Sequence, residues 1–351
     1  MAPHKFILGI SIAALSFFGC QSSSDRTVFV IPSGKTEPVS GRADDCALWI
    51  HPTDPSMSLI IGNNQVGDGG LYGWDLDGKL IFYYGPLLKP VNVDIRYNFA
   101  FGGDKVDIVV VGTHADNTLH VFQIDPHERK LIDITPPGGI PTPAVYELYG
   151  LALYQDPQTG QISAFISERK PNTPITQILL EDAGNGTVKG TVVRSFGKDD
   201  IESMVKGMYA DDEMGYLYCC DQKSAVLKFY ADSKSGDHLV SRFAIGDEIE
   251  GDREAIALYR CPNGEGYFLL SCLGNHDIKV YDRQEGNRFL MTVKKRGGIQ
   301  TDGMEISSCP VKNYPHGFVV SHDIQSSDFV IYNWDAIASD RLKKCTCTSG
   351  Y

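Results

Sequence analysis

Carboxylates at strand ends and in turns are the residues of this chain best suited to chemistry, and they recur along the whole sequence. Oxygen donors at this density suit hard divalent cations such as calcium or magnesium, provided that the fold gathers them. For any one acid the commoner explanation is that it faces water and caps a turn, and Asp212 with Glu213 is interpreted as such a turn. The candidates are Asp44, Asp45, Asp94, Asp211, Asp212, Glu213, Asp252, Glu254, Asp302 and Glu305.

A sixfold repeat is the pattern that could gather these acids. A short strand with a bulky anchor before a polar turn recurs at gaps of 48, 56, 51, 52 and 51 residues. Each unit has room for four short strands, the content of one β-propeller blade, and blades bring equivalent positions to one axis. The sequence therefore predicts an all-β, six-bladed β-propeller over residues 28–345, closed by pairing residues 28–31 with the last blade. The anchors are Trp74, Phe122, Ile178, Phe229, Tyr281 and Tyr332.

The N-terminal residues have the pattern of an export signal. One lysine precedes an apolar run of about thirteen residues, which is too short to span a membrane, and Gly19-Cys20 follows. We interpret residues 1–19 as a lipoprotein-type signal peptide, Cys20 as the lipidated residue and residues 20–27 as a tether. The expected location is the outer membrane or cell surface, with the periplasm or secretion as the alternative. Residues 346–351 form a tail.

Charge and cysteine content narrow the class of protein. The chain carries a formal charge of −12, which argues against nucleic acid as a partner because phosphate backbones require a basic surface. Export makes the cysteines after Cys20 candidates for disulfides, although their pairing cannot be read from the sequence. The Cys345-x-Cys347 tail favours a structural role over metal binding. A closed propeller leaves no sheet edge to bury, so we expect a monomer.

Six segments together resemble the β-propeller phytase family: DDCALWIHPTDPSMS, VNVDIRYNF, LYGLALY, GMYADDEMGYLY, GYFLLSCLGN and TDGMEI. The likeness runs in order from about Asp44 to Ala338, through every blade. Members of that family are six-bladed, calcium-dependent phosphatases that act on myo-inositol hexakisphosphate (phytate). The resemblance thus implies a phosphomonoesterase in which calcium bridges carboxylates to phosphate and activates a water for attack on phosphorus.

The resemblance also assigns roles to individual residues. Arg96 matches a phosphate-holding arginine, and its forked donors suit two phosphate oxygens, although it could instead pair with a carboxylate such as Asp94. Tyr149 matches a tyrosine that lines the channel. Together with Arg96 and Tyr149, Asp252 and Glu254 are expected to act in catalysis. The acids that match calcium ligands are Asp44, Asp45, Asp252, Glu254 and Asp302.

Several positions depart from the family pattern. Residues 64–67 (NQVG) replace a lysine pair, and Lys206 stands where the family has a glutamate ligand. Asp221 and Gln222 replace paired glutamates, so one carboxylate is lost. Arg169 or Lys170 could substitute for a family lysine, and we expect both, with Lys206, to contact substrate. Fewer acidic ligands predict weaker calcium binding.

Two functions remain open on this basis. The first is a calcium-dependent phosphomonoesterase that acts on phytate or a less phosphorylated ester. The second is a non-catalytic propeller that binds a phosphorylated or acidic ligand. An exported propeller that binds sugars or proteins is a third option, and it would not require the DIRY and DREA segments.

Overall fold

The computed structural model describes residues 26–246, 248–284, 286–296 and 302–347, which form twenty-six β-strands and one short α-helix. The strands form six sheets, and each sheet continues outward from the axis in chain order, except that two N-terminal strands form the outer edges of the last two sheets. Because the six innermost strands contact one another in a closed circle, the predicted all-β, six-bladed β-propeller is confirmed. Within the described ranges, no helix is long and apolar enough to cross a membrane. The predicted signal peptide and Cys20 lie outside the described residues.

The first three blades occupy the chain between Ala43 and Phe196. Their strands are β3 (Ala43–Trp49), β4 (Leu59–Asn64), β5 (Asp68–Trp74) and β6 (Leu80–Leu88) in blade one; β7 (Pro90–Phe101), β8 (Asp104–Thr113), β9 (Thr118–Asp125), β10 (Lys130–Asp133) and β11 (Ile140–Pro141) in blade two; and β12 (Leu148–Gln155), β13 (Ile162–Glu168), β14 (Ile175–Asp182) and β15 (Val188–Phe196) in blade three.

The last three blades follow in the same order, and the helix α1 (Trp334–Ala338) comes after them. Their strands are β16 (Val205–Asp211), β17 (Tyr216–Asp221), β18 (Val226–Tyr230) and β19 (Ser241–Phe243) in blade four; β20 (Arg253–Arg260), β21 (Gly266–Cys272), β22 (Ile278–Asp282) and β23 (Phe289–Lys295) in blade five; and β24 (Met304–Ser307), β25 (Phe318–Asp323) and β26 (Asp328–Asn333) in blade six.

The N-terminal strands close the propeller differently from the prediction. Strand β1 (Thr27–Val30) runs parallel to β23 at the outer edge of blade five, so the predicted pairing of residues 28–31 with the last blade is wrong. The two-residue strand β2 (Gly34–Lys35) pairs with β26 instead and supplies the fourth strand of blade six. The prediction followed β propensity, which is high in TVFV and low in Gly-Lys.

Six hydrophobic clusters fill the interfaces between neighbouring blades in the described part of the chain. Each anchor of the sequence repeat is buried in the third strand of its blade, as Trp74 is in β5 and Tyr332 in β26. Two disulfides, Cys261–Cys345 and Cys309–Cys347, hold the C-terminal tail to blades five and six. The structural role predicted for the Cys-x-Cys tail is thus confirmed.

Candidate functional site

Irregularities in strand pairing place polar side chains at one end of the central channel. In blades one, three, four and five, the register between the first two strands shifts at the start of the inner strand. Bulges of this kind re-aim side chains and are common beside active sites. Asp44, Tyr149, Lys206 and Glu254 lie within these shifts, and Asp302 lies just before β24 of blade six. We call these five residues the mouth ring.

Glycines allow the inner strands to approach closely at this level. A Cβ at Gly207 would clash with the backbone carbonyl of Glu254 in the next blade, and a Cβ at Gly303 would clash with the Asp45 side chain and the Asp44 carbonyl. Any larger residue at these positions would push blades apart where the ring side chains meet. The glycines that follow Lys206 and Asp302 therefore help to set the width of the ring.

Lys206 is the centre of the mouth ring. Its Nζ lies 3.2 Å from Asp44 Oδ1, 3.3 Å from Asp302 Oδ2 and 3.7 Å from Glu254 Oε2, so it meets acids of three other blades. The Lys206 side chain is only 6% exposed, and the three carboxylates are at most 4% exposed. Three of the five acids predicted to bind calcium are thus brought together, with an ammonium group between them.

Burial and the neighbouring charges shift the pKa values of these groups in opposite directions. Burial opposes the charged form of Lys206, but Asp44, Asp302 and Glu254 outweigh it and raise the lysine pKa above its usual range. Burial likewise opposes ionisation of Asp302, but Lys206 holds the pKa of that carboxyl below its ordinary value. Burial dominates at Glu254, whose pKa is raised although Lys206 opposes the shift. Glu254 is therefore a stronger base than an ordinary glutamate.

Amide and imidazole groups surround the ring and complete its hydrogen bonds. Gln222 Nε2 donates to Glu254 Oε1 at 2.9 Å and to the Tyr149 hydroxyl at 3.3 Å. Gln65 Nε2 lies 3.2 Å from His114 Nε2 and 3.5 Å from Asp44 Oδ2. Gln65 and Gln222 stand where the resemblance implied lysines and a second glutamate, so neutral amides occupy positions that were expected to carry charge.

Cations at the rim of the ring are exposed and weakly held. Lys89 and Arg169 share Glu147, at 3.4 and 3.2 Å, and the Arg169 guanidinium lies 5.6 Å from the centre of the Tyr149 ring. Exposed ion pairs of this type contribute about 0–1 kcal/mol, so a phosphate can displace the carboxylate at little cost. Three further exposed cations lie nearby: Arg42 pairs with Asp302, Lys223 pairs with Asp252, and Lys170 lies over the Tyr146 ring.

Arg96 lies deeper in the channel, about 13 Å along β7 from the bulge at Asn92 at roughly 3.3 Å per residue. Its Nη1 is 3.0 Å from Asp94 Oδ1, its Nε is 2.9 Å from Asp212 Oδ2, and its Nη2 donates to the carbonyls of Leu153 and Ala210. The structure thus shows the carboxylate pairing of Arg96 that was the alternative to phosphate binding. Asp212, interpreted as an ordinary turn residue, is a partner of this arginine.

Glu305 also lies in this deeper part of the channel, and Asp45 follows the ring residue Asp44. Burial, with the charge of Asp94, raises the pKa of Glu305 to about 8. Burial, with the charge of Asp44, raises the pKa of Asp45 to about 7. Asp45 Oδ2 accepts a hydrogen bond from the backbone N–H of Val93. We call Asp94, Arg96, Asp212 and Glu305 the deep cluster; they line a cavity of about 470 Å³.

The residues of the mouth ring do not fit calcium as they stand. Calcium takes six to eight oxygen ligands at about 2.3–2.6 Å, whereas the space between the three ring carboxylates holds the Lys206 ammonium. Asp252, the other predicted ligand at this end, pairs with Lys223. Within the described residues, no group of three or more acids, histidines or cysteines is arranged to hold a metal ion.

His114 is a neighbour of the ring that the sequence did not indicate, and the sequence did not separate Arg96 from the ring in depth. The segments that begin five of the inner strands contain the missing signal. When DDCALW, YGLALY, KGMYAD, EAIALY and DGMEIS are aligned, their first residues are the five ring residues. Arg96 then falls well beyond the equivalent position of VNVDIRY.

Comparison with known proteins agrees with this architecture. A family model described as Phytase matches residues 4–346. The 3-phytase of Bacillus subtilis (strain 168) is 32% identical over 351 aligned residues, which cover 94% of this chain and 90% of that protein. The family match extends through all six blades and includes the residues of the mouth ring. The chain therefore belongs to the phytase family.

Proposed function

We propose that this phosphoric monoester hydrolase releases phosphate from phytate, or from a related small phosphoester, at the mouth ring. The observation that carries the proposal is the group of exposed cations beside the buried ring: Arg42, Lys89, Arg169, Lys170 and Lys223. A polyphosphorylated guest carries about −1.5 to −2 per phosphate, and only several separate cations can receive it. The family match gives the reaction class.

The mouth residues divide the work of hydrolysis between them. Arg169 and Lys89 exchange Glu147 for phosphate oxygens, which places a phosphate beside Tyr149. Burial raises the pKa of Tyr149, so its hydroxyl stays protonated and donates to that phosphate. Glu254, with Asp252 close by, orients the attacking water and takes its proton as the water oxygen bonds to phosphorus. The P–O bond to the ester oxygen breaks, and that oxygen leaves as an alcohol with a proton from solvent. Lys206 is fully engaged with carboxylates, so its predicted contact with substrate is not part of this arrangement.

Calcium dependence is the part of the prediction that the ring disfavours, because Lys206 fills the space between its acids. We therefore assign no step to a metal ion in the ring. The test is phosphate release from phytate and from simple sugar phosphates by the purified protein, assayed with calcium and with EDTA. Release in both conditions supports hydrolysis without a ring metal, and loss in EDTA alone would contradict it.

One observation favours the alternative of a non-catalytic propeller that binds a phosphorylated ligand. Lys206 and Gln222 replace acidic ligands of the family. This alternative predicts that phytate binds, with a measurable heat by calorimetry, but that no phosphate is released from any ester across pH 5–8. Release from a single ester would exclude it.

Export as a monomeric lipoprotein remains part of the proposal. Its support is the apolar segment before Cys20 and the two disulfides, since disulfides persist in oxidising compartments. Metabolic labelling with a fatty acid, with Cys20→Ser as the control, tests the anchor, and light scattering of the purified protein tests the monomer.

A further inference from the structure

The mouth ring holds a positive charge at the point where three acids converge. Asp44, Glu254 and Asp302 come from blades one, five and six, and each places an oxygen within 3.7 Å of the Lys206 Nζ. Three carboxylates so close together would repel one another strongly in a buried site without a cation. The lysine, which enters from blade four, supplies that cation from within the chain.

The ammonium group resembles a metal ion more than an arginine does. It is a compact point charge with three donors and no fixed plane, so it makes few demands on the orientation of its acceptors. The three carboxylates and the amide oxygens of Gln65 and Gln222 are the hard oxygen ligands that calcium takes. Gln222 Oε1 is buried and has no hydrogen-bond partner in the described part of the chain. Each carboxylate would need to move inward by about 1 Å to reach calcium–oxygen distances.

We propose that Lys206 is a built-in counter-ion occupying a latent calcium site, which opens when the amine is removed. The side chain makes the native ring independent of the calcium concentration outside the cell. This inference concerns metal binding alone and holds whichever phosphoester, if any, the protein hydrolyses.

The test compares Lys206→Gln with the native protein and with Lys223→Gln as a matched control. Lys223 also pairs with a carboxylate, but its side chain is 67% exposed. We expect Lys206→Gln to bind one more calcium ion than the native protein by calorimetry, with a dissociation constant on the order of 10⁻⁴ M, as in extracellular calcium modules. Calcium should also raise the melting temperature of this variant alone.

Two results would overturn the proposal. One is equal calcium stoichiometry in the native protein and Lys206→Gln, because the lysine would then not block a site. The other is a Lys206→Gln variant that stays unfolded with and without calcium. If the site were latent, calcium would bind between the three carboxylates and stabilise the folded variant. Recovery of Lys206→Gln on refolding with calcium but not without it supports the proposal. As a second variant, Lys206→Glu adds a fourth carboxylate and should bind calcium more tightly than Lys206→Gln.

Discussion

The mouth ring and the deep cluster both balance enclosed carboxylates with a cation, but they use different cations. In the deep cluster, the guanidinium of Arg96 forks between Asp94 and Asp212 and also donates to three backbone carbonyls. In the mouth ring, the single nitrogen of Lys206 is shared by three acids. A guanidinium held by several directional hydrogen bonds cannot be replaced by a metal ion, whereas an ammonium group, which acts as a point charge, can be. The comparison suggests that the deep cluster serves structure and that the ring can change its cation.

The largest effect is expected from Arg96→Met, which leaves Asp94 and Asp212 without their cation. Removing one partner of a buried ion pair costs about 3–5 kcal/mol in the free energy of unfolding, to be measured by urea denaturation. Calcium should not restore this loss, in contrast to Lys206→Gln. Arg242→Met, which breaks exposed pairs with Asp200 and Glu202, is the control. An Arg96→Met protein that is stable but inactive would instead support the phosphate-binding role that the resemblance implied for Arg96.

Glu254→Gln tests whether hydrolysis takes place at the mouth ring. Loss of a general base lowers kcat by about 10²–10⁴-fold, while Gln222 and Lys206 can still hydrogen-bond the new amide. Phosphate release and the thermal midpoint should be measured on the same preparation. The control is Glu250→Gln, an exposed acid four residues away. An unchanged kcat in Glu254→Gln would remove this residue from the mechanism.

A smaller effect is expected at the rim, where Arg169→Ala removes one of several phosphate contacts. We expect KM to rise by about tenfold, the equivalent of roughly 1.4 kcal/mol, with kcat falling less. Stability should change by less than about 0.5 kcal/mol because the side chain is half exposed. Lys170→Ala, which removes a contact over Tyr146 only, should raise KM less. Equal effects of the two variants would contradict the placement of Arg169 beside the reacting phosphate.

The last effect, which is small near pH 5 and grows as pH rises, is a change in stability in the deep cluster. The pKa of Glu305 is raised to about 8 in the folded protein, so its ionisation disfavours the fold as pH rises from about 4.5 towards 8. Glu305→Gln keeps the neutral form at every pH. Its melting temperature should therefore match that of the native protein near pH 5 and exceed it by a few degrees at pH 8. A difference that does not vary with pH would contradict this origin.

The fold was predictable because the sequence repeat follows from the way in which each blade packs its bulky residues. Anchors such as Phe122 and Tyr281 are buried in the third strand of their blades, and burial of bulky residues at a fixed spacing leaves a clear pattern. The closing strand was not predictable, because Gly34–Lys35 is only two residues long and, apart from an ion pair between Lys35 and Asp328, pairs through backbone groups that leave no pattern in the sequence.

The site was predictable in its acids and not in its cations. Asp44, Glu254 and Asp302 converge as expected, since each lies at or just before the start of an inner strand. Which acid a cation pairs with depends on how deep both side chains lie along the channel axis. Local sequence does not give that depth. The DIRY segment matched the family, but four residues of extended chain carry Arg96 away from the mouth.

The pairing of Gly34–Lys35 with residues 330 and 331 has a consequence for how the protein is made. Blade six cannot be completed until almost the whole polypeptide has been synthesised, because two of its strands come from opposite ends of the sequence. Contacts this far apart in sequence are slow to form. If the protein is exported as proposed, its chain would cross the membrane before its two ends pair, and the propeller would close only afterwards.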